Sequence, residues 1–380
     1  MKILQVCCYL YPALTYGGPA KVVYDLSVEL AKKHQLTIYT TDVWDAQQRI
    51  RANKRLPSTV NLKINYFANL VNSWAFHWRF FTGFGMVRQF IKEHQQFDLV
   101  HLHDVFILPQ ILLAYLAILV NKPYLITPHG VIDPVRMQRR SLVKKIFYYL
   151  AWPVLKRAQA VIAVSAQEQR DLQKLGLKNV QLVYNGVPEV KVKKSTKFKA
   201  FDQQKILTLL YIGKLHPQKG LKELILALKN FSKNWQLLLA GPDDGALAEL
   251  QQTVAQQQLQ QVHFLGYVND ADKQALFALA DLFVYPSYAE GFSISVLEAM
   301  QAGLPVLITD GCNFAEVAQA KAGWVIKKDH LITQLKDFFQ HWPRSTILAR
   351  RGQQAARLVN TKYSIQAMSA KMEQLYEQAI

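Results

Sequence analysis

Residues 281–310 read DLFVYPSYAEGFSISVLEAMQAGLPVLITD, and this stretch decides the fold. Leu282 to Tyr285 is an apolar, aromatic and β-branched run closed by Pro286-Ser287, which reads as a strand. Ser295 to Ala302 carries helical spacing until Gly303 stops it, and Pro305 to Asp310 is again strand-like. Strand, helix and strand in such close succession make a βαβ unit, whose strands run parallel and whose helix covers the sheet.

The same alternation extends outward in both directions. Upstream, Ile3 to Cys8, Leu36 to Thr40, Leu99 to Leu102, Tyr124 to Thr127 and Ala160 to Val164 are strand-like runs separated by helical stretches. After Asn185-Gly186 the segment VPEVKVKKSTKFKAFDQQK loses apolar periodicity and becomes lysine-rich, as a linker does. The rhythm then restarts with ILTLLYIG, WQLLLAG, VHFLG, LFVYPS and PVLITD. The expectation is an α/β chain of two Rossmann-like, doubly wound domains, residues 1–190 and 191–360, facing a central cleft at the carboxyl ends of their strands. Residues 361–380 read as a terminal helix whose docking the pattern leaves open.

Composition bounds the function. A 51% apolar content over 380 residues is that of a globular protein. Three cysteines form no ligand pattern or disulfide framework and favour a reducing compartment, so the cytoplasm is expected. The first apolar run meets Tyr-Pro and Gly17-Gly18 with no small-residue cleavage pattern, which reads as a buried strand and not as a signal peptide. Ile107 to Val120 is too short to span a bilayer and reads as a core helix. Charge is uneven: residues 1–195 carry 26 basic against 11 acidic side chains, the remainder 19 against 16. A basic half implies an anionic partner.

Within the opening stretch, Glu290 falls in the loop after the strand and Glu298 in the following helix. Carboxylates are strong acceptors for hydroxyls, so two of them suit a sugar and a ribose, while Gly291 lets backbone approach. Ser295 to Glu298 is also an S-x-x-E capping box, which would make Glu298 a helix cap. In YIGKLHPQKG, Lys214 and Lys219 stand at a strand-to-helix turn, placed to neutralise a phosphate. The spacing is not that of a Walker A loop. Gly17-Gly18 precedes a helix, where main-chain amides can meet a phosphate, but no G-x-G-x-x-G fingerprint follows. His129 in TPHG ends a strand and is the histidine expected to face a reacting sugar; His101, in HLHD with His103 and Asp104, reads as structural. None of these has companions at metal-ligand spacing. Asp243-Asp244 in GPDDG reads as turn and capping chemistry.

Taken together, YPSYAEGFSISVLEAMQAGLPV with its E-x7-E pair, GKLHPQKG, VYNGV, LLAGP, FLGYV and GCNFAEVAQAKAGWV resemble a family 4 retaining glycosyltransferase of the GT-B fold, in order over about residues 3–327. The resemblance implies an amino-terminal acceptor-binding domain and a carboxy-terminal nucleotide-sugar-binding domain. It implies that Lys214 and Lys219 clamp the donor diphosphate, Glu290 binds sugar hydroxyls and Glu298 the ribose. Gly291, Phe292 and Ser293 would add amide contacts, Tyr267 and Val268 would hold the base, Gly17 and Gly18 would face the diphosphate, and His129 would lie near the transferred sugar. Front-face displacement is implied, with the leaving phosphate helping to deprotonate the acceptor and with no cofactor or metal; the nucleotide sugar is a substrate. Two departures stand out: Lys214 replaces a common arginine, losing its bidentate fork but keeping the charge, and Ala315 replaces a common proline.

The implied acceptor is a glycan or a lipid-linked glycan, as in surface polysaccharide synthesis. Val143, Ile146, Phe147, Leu150 and Val154 lie on one helical face beside Arg136, Arg140 and Lys144, a composition suited to anionic lipid. The aromatic stretch 74–90 reads as either buried or membrane-dipping. Peripheral attachment at the cytoplasmic membrane face is therefore expected. Two rival readings are a sugar-nucleotide epimerase of the same architecture, whose acid/base carboxylates are not evident, and a basic nucleic-acid-binding protein, for which no stripe of cations interleaved with stacking aromatics is present.

Overall fold

The computed structural model describes residues 1–13, 16–132, 142–190, 192, 195–202 and 206–380, with side chains left undescribed at 142–146. The chain divides into two units, Met1–Gly186 with Ile365–Ile380, and Val187–Ser364.

The first unit holds β1 (Lys2–Val6), α1 (Pro19–Leu30), β2 (Gln35–Thr41), β3 (Leu62–Phe67), α2 (Asn72–Trp78), α3 (Gly85–Glu93), β4 (Leu99–His103), α4 (Leu108–Leu119), β5 (Tyr124–Thr127), α5 (Leu142–Arg157), β6 (Ala160–Ala163), α6 (Ala166–Lys174) and β7 (Val180–Leu182). Its seven strands are ordered β3-β2-β1-β4-β5-β6-β7, every pair parallel. Helices cover both faces of such a sheet, so its inner strands are apolar almost throughout. All of β4 is buried, its two histidines included. The winding reverses between β1 and β4, and that is where a crevice opens beyond the strand ends.

The second unit holds β8 (Leu207–Ile212), α7 (Leu221–Leu228), β9 (Trp235–Ala240), α8 (Leu247–Gln257), β10 (Val262–Gly266), α9 (Asp270–Leu279), β11 (Leu282–Tyr285), α10 (Ile294–Gln301), β12 (Val306–Thr309), α11 (Glu316–Gln319), β13 (Gly323–Ile326), α12 (Leu331–Gln340) and α13 (Ser345–Lys362). Its parallel sheet is ordered β10-β9-β8-β11-β12-β13 and reverses between β8 and β11. Each unit is thus a doubly wound α/β layer structure. The final helix, α14 (Ile365–Ala379), belongs to the first unit. It buries Ile365, Met368, Met372, Leu375 and Tyr376, while Glu373 meets Lys33 and His34 just beyond α1, each at 2.9 Å.

Three details differ from the periodicity. Residues 74–90 form no single helix: α2 and α3 are separate, Phe81 between them is buried, and Trp78 is 72% exposed. The apolar face expected along α5 is divided, since Val154 is buried whereas Leu150 is 40% exposed. The last turns of α5 are drawn into the core, where Tyr124 Oη donates to the Val154 carbonyl at 2.6 Å. Arg136, Arg140 and the side chains of Val143, Lys144 and Ile146 lie outside the described residues.

Two glycines shape the loop after β11. Gly220 sits at φ +66°, in the left-handed region, and a Cβ there would strike the Pro286 carbonyl. A Cβ on Gly311 would strike the carbonyls of Ser287 and Tyr288, and its own carbonyl accepts from the Glu290 amide at 2.9 Å. Gly311→Ala is expected to destabilise the second unit by about 1–3 kcal/mol, as overpacking against backbone does, read as a shift of its urea unfolding midpoint.

Candidate functional site

In the second unit the central strands β8 and β11 carry stacked tyrosines, Tyr211 and Tyr285, at their carboxyl ends, with ring centroids 5.2 Å apart. The loops that follow are stitched together through one carbonyl: Gln218 O accepts from the Tyr288 amide at 2.9 Å and from Ser287 Oγ at 3.2 Å. Lys219 closes a short 3-10 turn, Pro217–Lys219, opened by His216, whose Nδ1 accepts the Gln218 amide at 3.1 Å.

This stitching brings Lys219 and Glu290 into an ion pair. Glu290 Oε1 also accepts from Tyr285 Oη at 3.0 Å and from Ser287 Oγ at 3.2 Å, and the Lys219 ammonium lies 5.4 Å above the Tyr285 ring. The Glu290 carbonyl accepts from Asn313 Nδ2 at 2.7 Å, so backbone and side chain are both fixed. An ammonium and a carboxylate are therefore set side by side at the carboxyl ends of the strands, where the winding reverses. Lys214 lies on the same strand-end loop. Its carbonyl accepts from Tyr211 Oη at 2.8 Å and its ammonium is 3.6 Å from Asp244. Asp243 caps α8: its Oδ1 accepts the amides of Gly245, Ala246 and Leu247, and the Leu247 amide leads in holding its carboxyl below the usual range.

Glu298 is placed differently. The helix begins at Ile294 with Ser293 as its cap, Ser293 Oγ accepting the Val296 amide, so Ser295 and Glu298 form no capping box. Glu298 instead meets Lys273 of α9 through both oxygens, at 2.9 and 2.8 Å, and Lys273 reaches Asp270 at 2.9 Å. Burial works against the lysine's charge, yet the Glu298 and Asp270 carboxylates raise its pKa. Gly291 is exposed, and Phe292 packs against Phe314 and Tyr363 at 5.0 and 5.7 Å. Val268 is buried while Tyr267 is 56% exposed.

The remaining sequence-derived residues lie in the first unit, within β4 or in the loops that follow β1, β4 and β5. Gly17 takes φ +107° and Gly18 caps α1, which Pro19 opens. His129 follows β5 at φ +56°, and the Gly130 amide after it donates to Glu168 Oε1 at 2.6 Å. Burial pushes the Glu168 carboxyl up to about 7, against the amides of Val164 and Gly130. His101 is satisfied at both ring nitrogens, by Tyr376 Oη and Thr127 Oγ1, each at 2.7 Å. Asp104 holds φ +86°, rare for an aspartate, with Tyr9 Oη donating to it at 3.0 Å and the Val105 amide at 2.7 Å. Arg79, itself left-handed, lies over the Tyr9 ring at 5.0 Å.

Lys273, Tyr285, Glu168 and Tyr376 were not legible as site residues in the sequence. Their partners are remote in the chain and no local spacing marks them. Among the described residues no group of three or more His, Cys, Asp or Glu side chains is placed to hold a metal ion, and no helix is long and apolar enough to cross a membrane.

Comparison with known proteins bears on the family and the fold. Residues 16–190 match the family described as Glycosyltransferase Family 4, and residues 192–359 that described as Glycosyl transferases group 1. The chain is 25% identical over 350 residues to a GDP-mannose:cellobiosyl-diphosphopolyprenol alpha-mannosyltransferase of Xanthomonas oryzae, covering 87% of this chain and 84% of that one. It is 32% identical over 142 residues to the O-antigen chain mannosyltransferase B of Escherichia coli, covering 34% of this chain and 36% of that protein's length. Among solved structures, Anabaena Alr3699/HepE in complex with UDP and glucose superposes with a TM-score of 0.76 at 18% identity, each chain covered in full. The fold is that of the GT-B glycosyltransferases.

The Lys273–Glu298 pair yields a stability test. Lys273→Met leaves Glu298, whose side chain is 8% exposed, as an uncompensated buried carboxylate. The expected cost is about 3–5 kcal/mol, read as a lowered urea midpoint, and adding Glu298→Gln should recover most of it.

Proposed function

This chain belongs to the family 4 glycosyltransferases, and we propose that it moves a hexose, mannose first among the candidates, from a nucleotide sugar to a lipid-linked or polysaccharide glycan with retention of configuration. The carrying observation is the Lys219–Glu290 pair, with Lys214 on the same loop, at the strand ends of β8 and β11. A diphosphate would take the ammonium groups, and a sugar hydroxyl the carboxylate. Charge builds on the leaving phosphate as the glycosidic bond breaks, and preformed cations stabilise that charge more than they stabilise the ground state. Glu298, held by Lys273, keeps acceptor capacity for a ribose hydroxyl, since an ionised carboxylate has about four lone-pair sites. Gly291, Phe292, Ser293, Tyr267, Val268, Gly17 and Gly18 are assigned to the donor, and His129 to the transferred sugar. In this reading Lys214 and Lys219 supply the neutralising charge, and no cofactor takes part. The two similar mannosyltransferases support the sugar and acceptor classes.

The deciding experiment offers purified protein GDP-, UDP- and ADP-sugars, with Lys219→Ala and Glu290→Ala alongside. GDP-mannose turnover is expected, falling about 10²–10³-fold in either variant, the usual cost of removing one charge-stabilising group. Equal turnover in the variants would refute the site, and turnover of a different donor would change the sugar and leave the site standing.

Exposed Leu70, Trp74 and Trp78, with the basic first half of the chain, support peripheral attachment to an anionic membrane. Sedimentation with phosphatidylglycerol vesicles at low salt is expected to carry the protein down and to weaken in Trp78→Ala. Protein left in the supernatant would overturn the attachment.

A further inference from the structure

Six side chains of the first unit, five of them buried and the sixth, His129, half-buried, form one unbranched series of hydrogen bonds. His129 Nε2 lies 3.2 Å from His103 Nδ1, and His103 Nε2 meets Gln5 Oε1. Gln5 Nε2 is 3.1 Å from Tyr376 Oη, which is 2.7 Å from His101 Nδ1, and His101 Nε2 is 2.7 Å from Thr127 Oγ1. The arrangement follows from the sheet. His101 and His103, two apart on β4, point to one face, where Gln5 of β1 sits in register with His101 and Thr127 of β5 with His103. Tyr376 of α14 is fully buried within the series.

A series in which each group donates to the next admits two polarities. If His129 donates from Nε2, then His103 donates to Gln5, Gln5 to Tyr376, Tyr376 to His101 and His101 to Thr127, and all three imidazoles carry their proton on Nε2. The reverse polarity puts all three protons on Nδ1. A mixture at the imidazole pair or at the amide sets two donors or two acceptors against each other, and a mixture at Tyr376, whose oxygen can accept twice, leaves its hydroxyl proton without an acceptor. The end of the series decides between them. His129 Nδ1 is buried with no hydrogen-bond partner, and an orphaned buried N–H is costlier and rarer than an orphaned acceptor. The orientation of the Gln5 amide, oxygen towards His103, agrees.

We propose that this relay runs from His129 to Thr127, fixes His129 as the Nε2–H tautomer with Nδ1 as an acceptor, and makes Tyr376 of the last helix a positioning residue for His129. Burial lowers the pKa of His101 and of His129 to about 3, and lowers that of His103 as well, so the rings stay neutral. His129 then enters the reaction as a hydrogen-bond acceptor and not as an acid. That last consequence rests on the proposed function; the tautomer does not.

The test is long-range proton–nitrogen correlation on protein labelled with 15N-histidine and free of donor, with signals assigned through His101→Gln, His103→Gln and His129→Gln. Three Nε2–H rings are expected. An Nδ1–H tautomer or a charged ring at neutral pH for any of the three would overturn the relay. Tyr376→Phe removes the group that joins Gln5 to His101. Without the hydroxyl the Gln5 amide is free to turn over and only the His129 end still favours one polarity, so an Nδ1–H form of His129 is expected in exchange with the Nε2–H form, with kcat lowered roughly ten-fold, about the worth of one hydrogen bond, and donor KM unchanged. Glu373→Gln is the control: it loosens the same helix at Lys33 and His34 and should leave the tautomer alone. If Tyr376→Phe leaves His129 in a single tautomer, Tyr376 does not position it. If the wild type turns over no donor, the proposed function fails while the tautomer result stands.

Discussion

In both units the inner strands are covered on both faces, so a charged side chain has room only where a strand ends. That constraint governs where the lysines and carboxylates of the site can lie. It leaves the strand interiors uncharged and largely apolar, with Gln5, His101 and His103 of the first sheet as neutral exceptions, and crowds the charged chemistry into loops at one edge. It gives special weight to the place where the winding reverses, because only there do the loops of two adjacent strands turn away from each other and leave a crevice. Lys214, Lys219 and Glu290 follow β8 and β11, the strands flanking the reversal in the second sheet. Gly17, Gly18 and Asp104 follow β1 and β4, the corresponding strands in the first.

The Lys219–Glu290 pair is hard to explain as a device for stability. Its side chains are 17% and 16% exposed, so much of their hydration is lost. A well-packed apolar pair would serve the fold as well or better. On the proposed function, the two charges partner each other until a diphosphate takes the ammonium and a sugar hydroxyl the carboxylate. The supports of Glu290 come from Tyr285, Ser287, Asn313 and Gly311, on three different loops or strands, so the carboxylate is set before anything binds. Preorganisation of this kind lowers the cost of ordering the site during reaction.

What is legible in the sequence follows the same physics. Strands buried on both faces write themselves as apolar runs, and β1, β2, β4, β5, β6, β8, β9, β11 and β12 are legible that way; β10, at a sheet edge with only Val262 buried, is legible from its apolar residues alone. The other three, β3, β7 and β13, lie at sheet edges, where burial is partial and runs are short or mixed: Leu62–Phe67 alternates with exposed Lys63, and Val180–Leu182 has three residues. Lys219 and Glu290 are legible because strand-end loops are short and their residue types carry chemistry. Glu298 is legible, but its partner is not, since Lys273 approaches from another helix. The capping-box reading of Ser295 fails by two residues, because Ser293 takes the cap and moves the helix start upstream. A local pattern cannot choose between two serines when tertiary packing fixes the boundary.

The docking of α14 shows how far such reasoning reaches. Its apolar residues account for its attachment, but apolar contacts alone would tolerate a shift along the sheet face. Tyr376 would not, because its hydroxyl sits between Gln5 and His101, groups that would otherwise be buried and unpaired. Gln5 and Tyr376 are separated by 371 positions in the chain. The polar interior of the first unit is therefore completed only by the last helix, after the whole of the second unit has intervened. The register of that helix and the proton positions on three histidines are thus coupled: the Tyr376 hydroxyl joins the two halves of the series, and the unpartnered Nδ1 of His129 sets its direction.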